Sequence, residues 1–163
     1  MIKQKIENAL NVQMNKEFYS YYLYLSMAAY FESNNLKGFS HWLRIQAKEE
    51  SEHAMKIFDY LAQREGKITL KAIEAPANTW KSHADAFQDA YQHEQKVTEA
   101  IHDLVELAES EKDHPTDVFL QWFVKEQVEE EASAHEILQK LQLIGDDGGA
   151  LFMLDGDLGK RAT

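Results

Sequence analysis

Four glutamates and one histidine lie at positions where the buried face of a helix would carry apolar residues. Residues three or four positions apart share one face of a helix. On this basis Glu17 shares the apolar face of the first predicted helix, and Glu50 and His53 share that of the second. The third and fourth patterns each hold one acid on this face, Glu94 and Glu130. We therefore expect each of four helices to contribute a carboxylate, near its middle, to a shared interior.

Buried carboxylates require positive charge, because an unpartnered one is costly or stays protonated. No Lys or Arg lies on these four faces, so ion pairs within the core cannot supply that charge. Two divalent cations would balance four carboxylates, and His53 adds a nitrogen ligand one turn from Glu50. Such an oxygen-rich set with one imidazole suits iron or manganese better than structural zinc or Cu(I). The Glu-x-x-His spacing alone is weak, since an exposed ion pair has the same spacing.

Several residues near these acids allow two interpretations. Tyr24 lies two turns from Glu17 on the same face, where its hydroxyl could hydrogen-bond a ligand or donate an electron, or where its ring could simply fill the core. Glu49, Glu126 and Glu129 lie beside the core face, so they form either a neighbouring metal position or a solvated charged face. The remaining histidines lack matched partners, and we expect them to be surface residues: His41, His83, His93, His102, His114 and His135.

These residues would be positioned by four long helices and a short one, separated by turn-forming residues. The pattern predicts helices over about 3–32, from after the Asn34–Gly38 turn to near Gly66, over 83–112, over 115–144, and a short C-terminal helix over about 150–160. The chain is expected to form one domain, 1–163, with its four-helix bundle at about 3–144. The fold class is all-α.

The connection over 67–82 is long and has no helical pattern. Its 16 residues can extend over roughly 50 Å, whereas a 28-residue helix is only about 42 Å long. The connection can therefore run the full length of the bundle. It permits helices two and three to be parallel, in a bundle with one long crossover.

Composition limits the possible partners. The 163 residues carry a net charge of −11, which disfavours nucleic acids and anionic membranes and favours attraction of cations. There is no cysteine, and no apolar run approaches the length that crosses a bilayer. Because the N-terminal residues do not resemble a signal peptide, we expect a cytoplasmic protein.

Together with their neighbours, the acids form one motif in each of the four long helical patterns. The motifs are Glu17 with Tyr24, Glu49-Glu50-Ser51-Glu52-His53, Glu94 after Tyr91, and Glu126-Gln127-Val128-Glu129-Glu130-Glu131. Over essentially its whole length the chain resembles the bacterial-type non-haem ferritins. The resemblance implies three iron positions, with Glu50 bridging the first two and Gln127 beside the ligands. The implied ligands are Glu17, Glu50 and His53 for the first iron ion, Glu50, Glu94 and Glu130 for the second, and Glu49, Glu126, Glu129 and Glu130 for the third.

The sequence differs from three related families of di-iron or iron-storage proteins. A bacterioferritin would carry a second Glu-x-x-His in the fourth helix and a haem-binding Met where this chain has Ser51 and Glu52, so no haem is expected. A rubrerythrin would add a cysteine-rich domain, and this chain has no cysteine. In the DNA-protecting mini-ferritins the ligands come from the first two helices, which would leave Glu94 and Glu130 unexplained.

The resemblance implies iron storage with ferroxidase activity. Fe(II) would be oxidised by O2 or hydrogen peroxide at the di-iron centre, and ferric mineral would be stored inside a homo-oligomeric cage of about twenty-four subunits. The main alternative is a di-iron oxidase or peroxidase of the same bundle class without storage. A metal-free helical interaction module is the alternative from another class, and iron titration would exclude or establish it.

Overall fold

A computed structural model describes residues 1–163 and contains five helices and no strand. The helices are α1 (Gln4–Ser33), α2 (Lys37–Gln63), α3 (His83–Ser110), α4 (His114–Ile144) and α5 (Gly148–Leu158). The predicted all-α class, with four long helices and a short C-terminal one, is confirmed. None of the helices combines the length and the apolar character that a membrane crossing requires.

Two tight turns fold the long helices into hairpins, α1 against α2 and α3 against α4. Asn35 (φ 59°) and Lys112 (φ 55°) have left-handed backbone conformations just after α1 and α3. After α1, the Leu36 N–H donates to the Phe31 carbonyl at 3.0 Å, and an equivalent bond follows α3. These bonds satisfy carbonyls that the helix itself leaves unpaired and reverse the chain within a few residues.

The segment between α2 and α3 runs along α1. Near the start of α1, the Asn11 side chain donates to the Lys67 carbonyl at 2.8 Å and accepts from the Thr69 N–H at 2.7 Å. Near its end, the Ser26 hydroxyl donates to the Ala77 carbonyl at 2.6 Å. The connection therefore travels along the bundle, α2 and α3 start at the same end, and the predicted single crossover is confirmed.

Gly38 has a different role from the predicted one. The sequence assigns it to the turn before α2, but α2 already begins at Lys37, so Gly38 lies in its first helical turn. A Cβ at Gly38 would lie 1.7 Å from the backbone oxygen of Asp155 in α5, and the Phe39 N–H donates to the Asp155 carboxylate at 3.0 Å. Glycine is required here because α5 packs directly against the backbone of α2.

A polar layer divides the core into two apolar clusters. One cluster of 16 buried residues includes Phe31, Phe39 and Phe87, towards the end of the bundle where α5 packs. The other, of 14 buried residues, includes Leu10 and Phe123, towards the opposite end. The buried acids lie between them, at mid-bundle, as the sequence predicts.

Candidate metal centre

All four glutamates of the predicted centre, together with its histidine, lie in the interior of the bundle. Their exposed fractions are 1% for Glu17, 2% for Glu50, 5% for His53, 1% for Glu94 and 6% for Glu130. One comes from each of α1, α3 and α4, and two come from α2. The helical spacing thus places five titratable groups at one level of the core.

These five residues form two overlapping ligand sets. Glu17, Glu50 and His53 offer ligand atoms within 4.8 Å of one another, and so do Glu50, Glu94 and Glu130. The Nδ1 atom of His53 lies 3.4 Å from a Glu50 oxygen and 3.9 Å from a Glu17 oxygen. Glu50 belongs to both sets, which is the geometry required of a ligand that bridges two ions.

Two glutamines orient the carboxylates of α1 and α2. The Gln13 amide donates to Glu17 at 2.8 Å, and the Gln46 amide donates to Glu50 at 3.1 Å and also to Glu130. The second oxygen of Glu17, Oε2, is buried and has no hydrogen-bond partner. A buried carboxylate oxygen without a donor is costly, so this atom fits the role of a metal ligand.

Tyr24 and Gln127 hold Glu94 in place. The Tyr24 hydroxyl donates to one oxygen of Glu94, and the Gln127 amide donates to the other at 3.1 Å. The Tyr24 hydroxyl thus contacts a predicted ligand, and the Tyr24 ring also fills part of the 16-residue apolar cluster. Gln127 lies beside the ligands, as the resemblance implies.

Burial and mutual repulsion shift the four acids towards their protonated forms. Burial raises the pKa of Glu17 from 4.5 to about 7. Burial, followed by repulsion from Glu94, raises the pKa of Glu130 to about 9 and that of Glu50 well above its usual range. Burial also raises the pKa of Glu94, although the Tyr24 hydrogen bond partly offsets it. Such a cluster favours the binding of cations in place of protons.

His53 is neutral at physiological pH. Burial, with a smaller effect of the nearby Lys56 ammonium, lowers the pKa of His53 to about 4. Its ring packs edge-on against Trp122, with ring centroids 5.2 Å apart. A neutral imidazole held in this way has an unprotonated nitrogen available to a metal.

The residues predicted for a third iron position are only partly brought together. Glu126 joins His53 and Glu130 in a further set whose ligand atoms lie within 4.8 Å of one another, with Glu126 Oε1 3.9 Å from His53 Nε2. Glu49 instead forms an ion pair with Arg161 at 2.7 Å, and Glu129 is exposed. Neither belongs to a three-residue set.

Of the other histidines, which were predicted to be surface residues, His102 and His114 are exposed, whereas His93 is only partly exposed and has a partner on another helix. The His93 ring is half-buried, its Nε2 atom lies 2.7 Å from the Ser20 hydroxyl, and burial lowers its pKa to about 4. Partial burial is also found for His41, His83 and His135.

Sequence reasoning assigned no role to Gln13 or Gln46. The available signal is their spacing, because each lies four residues before a core glutamate and therefore one helical turn from it.

Comparison with known proteins agrees with this geometry. Residues 7–144 match the family model described as "Ferritin-like domain". A "Probable bacterial non-heme ferritin-like protein" of Haemophilus influenzae is 41% identical over 163 residues, which cover 100% of this chain and 99% of that protein. A "Bacterial non-heme ferritin" of Bacteroides fragilis is 40% identical over 161 residues, which cover 99% of this chain and 100% of that protein.

The fold is similar to those of solved ferritins. An open-pore ferritin from the hyperthermophilic archaeon Archaeoglobus fulgidus superposes with a TM-score of 0.98 at 54% identity, covering 99% of this chain and 100% of that one. A closed form of the same ferritin, engineered by site-directed mutagenesis, also has a TM-score of 0.98 and 54% identity, with 99% of each chain covered. From this evidence, the chain belongs to the ferritin family and is of the bacterial non-haem type.

Proposed function

We propose that the chain binds two Fe(II) ions in the polar layer, oxidises them there, and stores the ferric product as mineral inside a homo-oligomeric cage. The observation that carries the proposal is the position of Glu50, whose carboxylate belongs to both ligand sets. The unpartnered Glu17 Oε2 atom and the neutral His53 support it. Iron is the substrate of this reaction rather than a resident cofactor.

Each residue of the layer has a distinct proposed role. Glu17 and His53 bind the first Fe(II), Glu94 and Glu130 bind the second, and Glu50 bridges the two. The four carboxylates are hard, anionic ligands that stabilise Fe(III) over Fe(II) and so favour the loss of an electron from each ion.

Gln127 and Tyr24 act on the centre through Glu94. Both donate hydrogen bonds to its carboxylate, which holds it towards the second ion position. Tyr24, whose hydroxyl donates to Glu94, is also a candidate electron donor. The Tyr24→Phe variant keeps the aromatic ring but removes the phenol hydroxyl, so Fe(II) oxidation should be slower in this variant.

The electrons are balanced by the oxidant. Two Fe(II) ions give up one electron each, and O2 accepts both electrons with two protons and leaves as hydrogen peroxide. If hydrogen peroxide is the oxidant, the same two electrons and two protons convert it to two water molecules. Protons displaced from the carboxyl groups when the cations bind supply part of the demand.

Storage of ferric mineral requires that several chains assemble into a cage, and apolar side chains on the surface could form the contacts between them. Large apolar side chains are exposed on α1, the crossover and α5, including Leu70 at 70% and Phe152 at 77%. In the proposed cage, neighbouring subunits would cover these side chains. Ferritins are the relatives and structural neighbours of the chain, which favours storage over a dissociated di-iron oxidase or peroxidase.

Replacement of Glu50 by alanine tests the centre. The variant should lose rapid Fe(II) oxidation, because both ligand sets lose a member, while the oligomer remains intact. Oxidation is followed by absorbance after addition of two Fe(II) per chain, and Glu99→Ala, at an exposed position of α3, is the matched control. An unchanged rate in Glu50→Ala would refute the bridging role.

Size-exclusion chromatography with iron loading tests storage. The expected result is a very large particle of about twenty-four chains that retains many more ferric ions than its ligand sets can hold. A small oligomer that oxidises iron but releases it all would favour the oxidase or peroxidase alternative instead.

A further inference from the structure

The segment that follows α5 places an arginine at the edge of the metal centre. The Arg161 guanidinium lies over the Trp42 ring at 4.4 Å from its centroid and donates to the Trp42 carbonyl at 3.3 Å. The Arg161 carbonyl lies 2.8 Å from the His41 Nε2 atom. Three contacts with α2 therefore fix this arginine, which is a long way along the chain from the residues it meets.

From this position Arg161 contacts two residues that border the acids. It donates to the Gln46 side-chain oxygen at 3.1 Å and to the Glu49 carboxylate at 2.7 Å. Arginine can only donate hydrogen bonds, so it holds the Gln46 oxygen outward and the amide nitrogen inward. That nitrogen donates to Glu50 and Glu130. The orientation of Gln46 is therefore set from outside the centre by Arg161.

Glu49 borders a surface cavity that His53 of the centre also lines. The cavity has a volume of about 510 Å³, and four acids line it: Glu49, Glu52, Asp59 and Glu126. His53 also lines it, and at this inner wall His53, Glu126 and Glu130 bring ligand atoms within 4.8 Å of one another. When the centre holds two ions, His53 serves the first, so Glu126 and Glu130 are the members of this set left to hold a further cation. Glu49 belongs to no such set, and its carboxylate is paired with Arg161.

We propose that Arg161 is a positioning residue that withholds Glu49 from a cation bound at the inner wall of this cavity and fixes the Gln46 amide towards the di-iron centre. This inference rests on the proposed function, since it assumes that the acids of the centre bind cations. The guanidinium and a cation held by Glu126 and Glu130 compete for the Glu49 carboxylate, because His53 already binds the first ion of the centre. A third cation consequently binds more weakly than the two at the centre, and it binds more tightly when Arg161 is removed.

Calorimetric titration with Zn²⁺, which does not undergo redox chemistry, measures this competition on the assembled protein. The wild type should bind two ions per chain tightly and a third more weakly. Arg161→Gln should tighten the third event about fivefold, the ratio that corresponds to one partly exposed ion pair. The matched control is Lys160→Gln, which removes the same charge one residue away, where Lys160 pairs only with the exposed Asp157. The control should leave all three events unchanged.

Two further variants separate competition for Glu49 from a general loosening of the segment. In a Glu49→Gln background, Arg161→Gln should no longer tighten the third event, because the contested carboxylate is absent. Arg161→Lys keeps the charge, so its third event should be closer to that of the wild type than to that of Arg161→Gln. Persistence of the gain in the Glu49→Gln background would overturn the proposal, as would equal third affinities in the wild type and Arg161→Gln.

Failure of the proposed function gives a different result. In that case the wild type would lack the two tight events themselves, whatever residue is present at position 161. Two tight events with no effect of Arg161→Gln would instead leave the centre in place and refute only the role of the arginine.

Discussion

Replacement of Glu130 by glutamine should stabilise the metal-free protein while it impairs the binding of cations. Glutamine preserves the size of the side chain and can still accept the hydrogen bond from Gln46. In the metal-free wild type, burial and the nearby Glu94 raise the pKa of Glu130 from 4.5 to about 9. The folded state therefore keeps a proton that the unfolded state releases, so the free energy of unfolding falls as the pH rises from 4.5 to about 9. The glutamine variant lacks the contribution of Glu130 to this dependence, whereas Glu17, Glu50 and Glu94 still contribute.

The size of the effect follows from the pKa of Glu130. In the unfolded chain the pKa of Glu130 is 4.5, so pH 7 lies about 2.5 units above it. At about 1.36 kcal/mol per unit, Glu130 lowers the free energy of unfolding at pH 7 by about 3 kcal/mol. The value is an upper limit, because neighbouring carboxyl groups share protons. For a domain of this length, 3 kcal/mol corresponds to a Tm increase of about 6–12 °C. The increase should vanish below pH 4.5.

Thermal unfolding of chelator-treated protein between about pH 4.5 and pH 9 measures this dependence. Glu129→Gln, at the exposed neighbouring position, is the control and should match the wild type at every pH. Addition of Zn²⁺ should reverse the order, because the wild type then gains binding free energy that Glu130→Gln partly lacks. If the Tm difference did not vary with pH, or if Glu130→Gln were less stable throughout without metal, the electrostatic reasoning would be refuted.

Three further substitutions test how the bundle positions the centre. Gly38→Ala should lower the free energy of unfolding by about 1–3 kcal/mol, because the added Cβ would clash with Asp155. Proteolysis within α5 should also become faster, and an unchanged rate of cleavage would contradict the close packing of α5 on α2. Lys112→Gly should raise the urea midpoint by relieving a left-handed conformation that costs about 1 kcal/mol, and a lower midpoint would count against this explanation. Asn11→Ala should speed amide hydrogen exchange at Thr69, whose N–H donates to Asn11, and unchanged exchange would show that other contacts hold the crossover.

The centre was accessible to sequence reasoning because helical periodicity relates residues that are close in the chain. Every position on the four predicted core faces that carries Glu17, Glu50, His53, Glu94 or Glu130 is buried in the structure. The fold followed for the same reason, since the length of the crossover and the positions of the turns constrain how four helices can be connected. Neither inference required knowledge of a distant contact.

The features that were missed depend on contacts between segments that are remote in sequence. Gly38 resembled a turn residue because the approach of α5 cannot be read from neighbouring residues. His93 lacked a partner at helical spacing, whereas its partner Ser20 is on another helix. Arg161 lies 112 residues from Glu49, and no local pattern relates the two.

Anomalous diffraction at the iron edge, from crystals soaked anaerobically in Fe(II), tests the central claim most directly. Two peaks are expected in each chain, one among Glu17, Glu50 and His53 and the other among Glu50, Glu94 and Glu130. Peaks confined to the surface, with the polar layer free of iron, would contradict the assignment of these five residues to a di-iron centre.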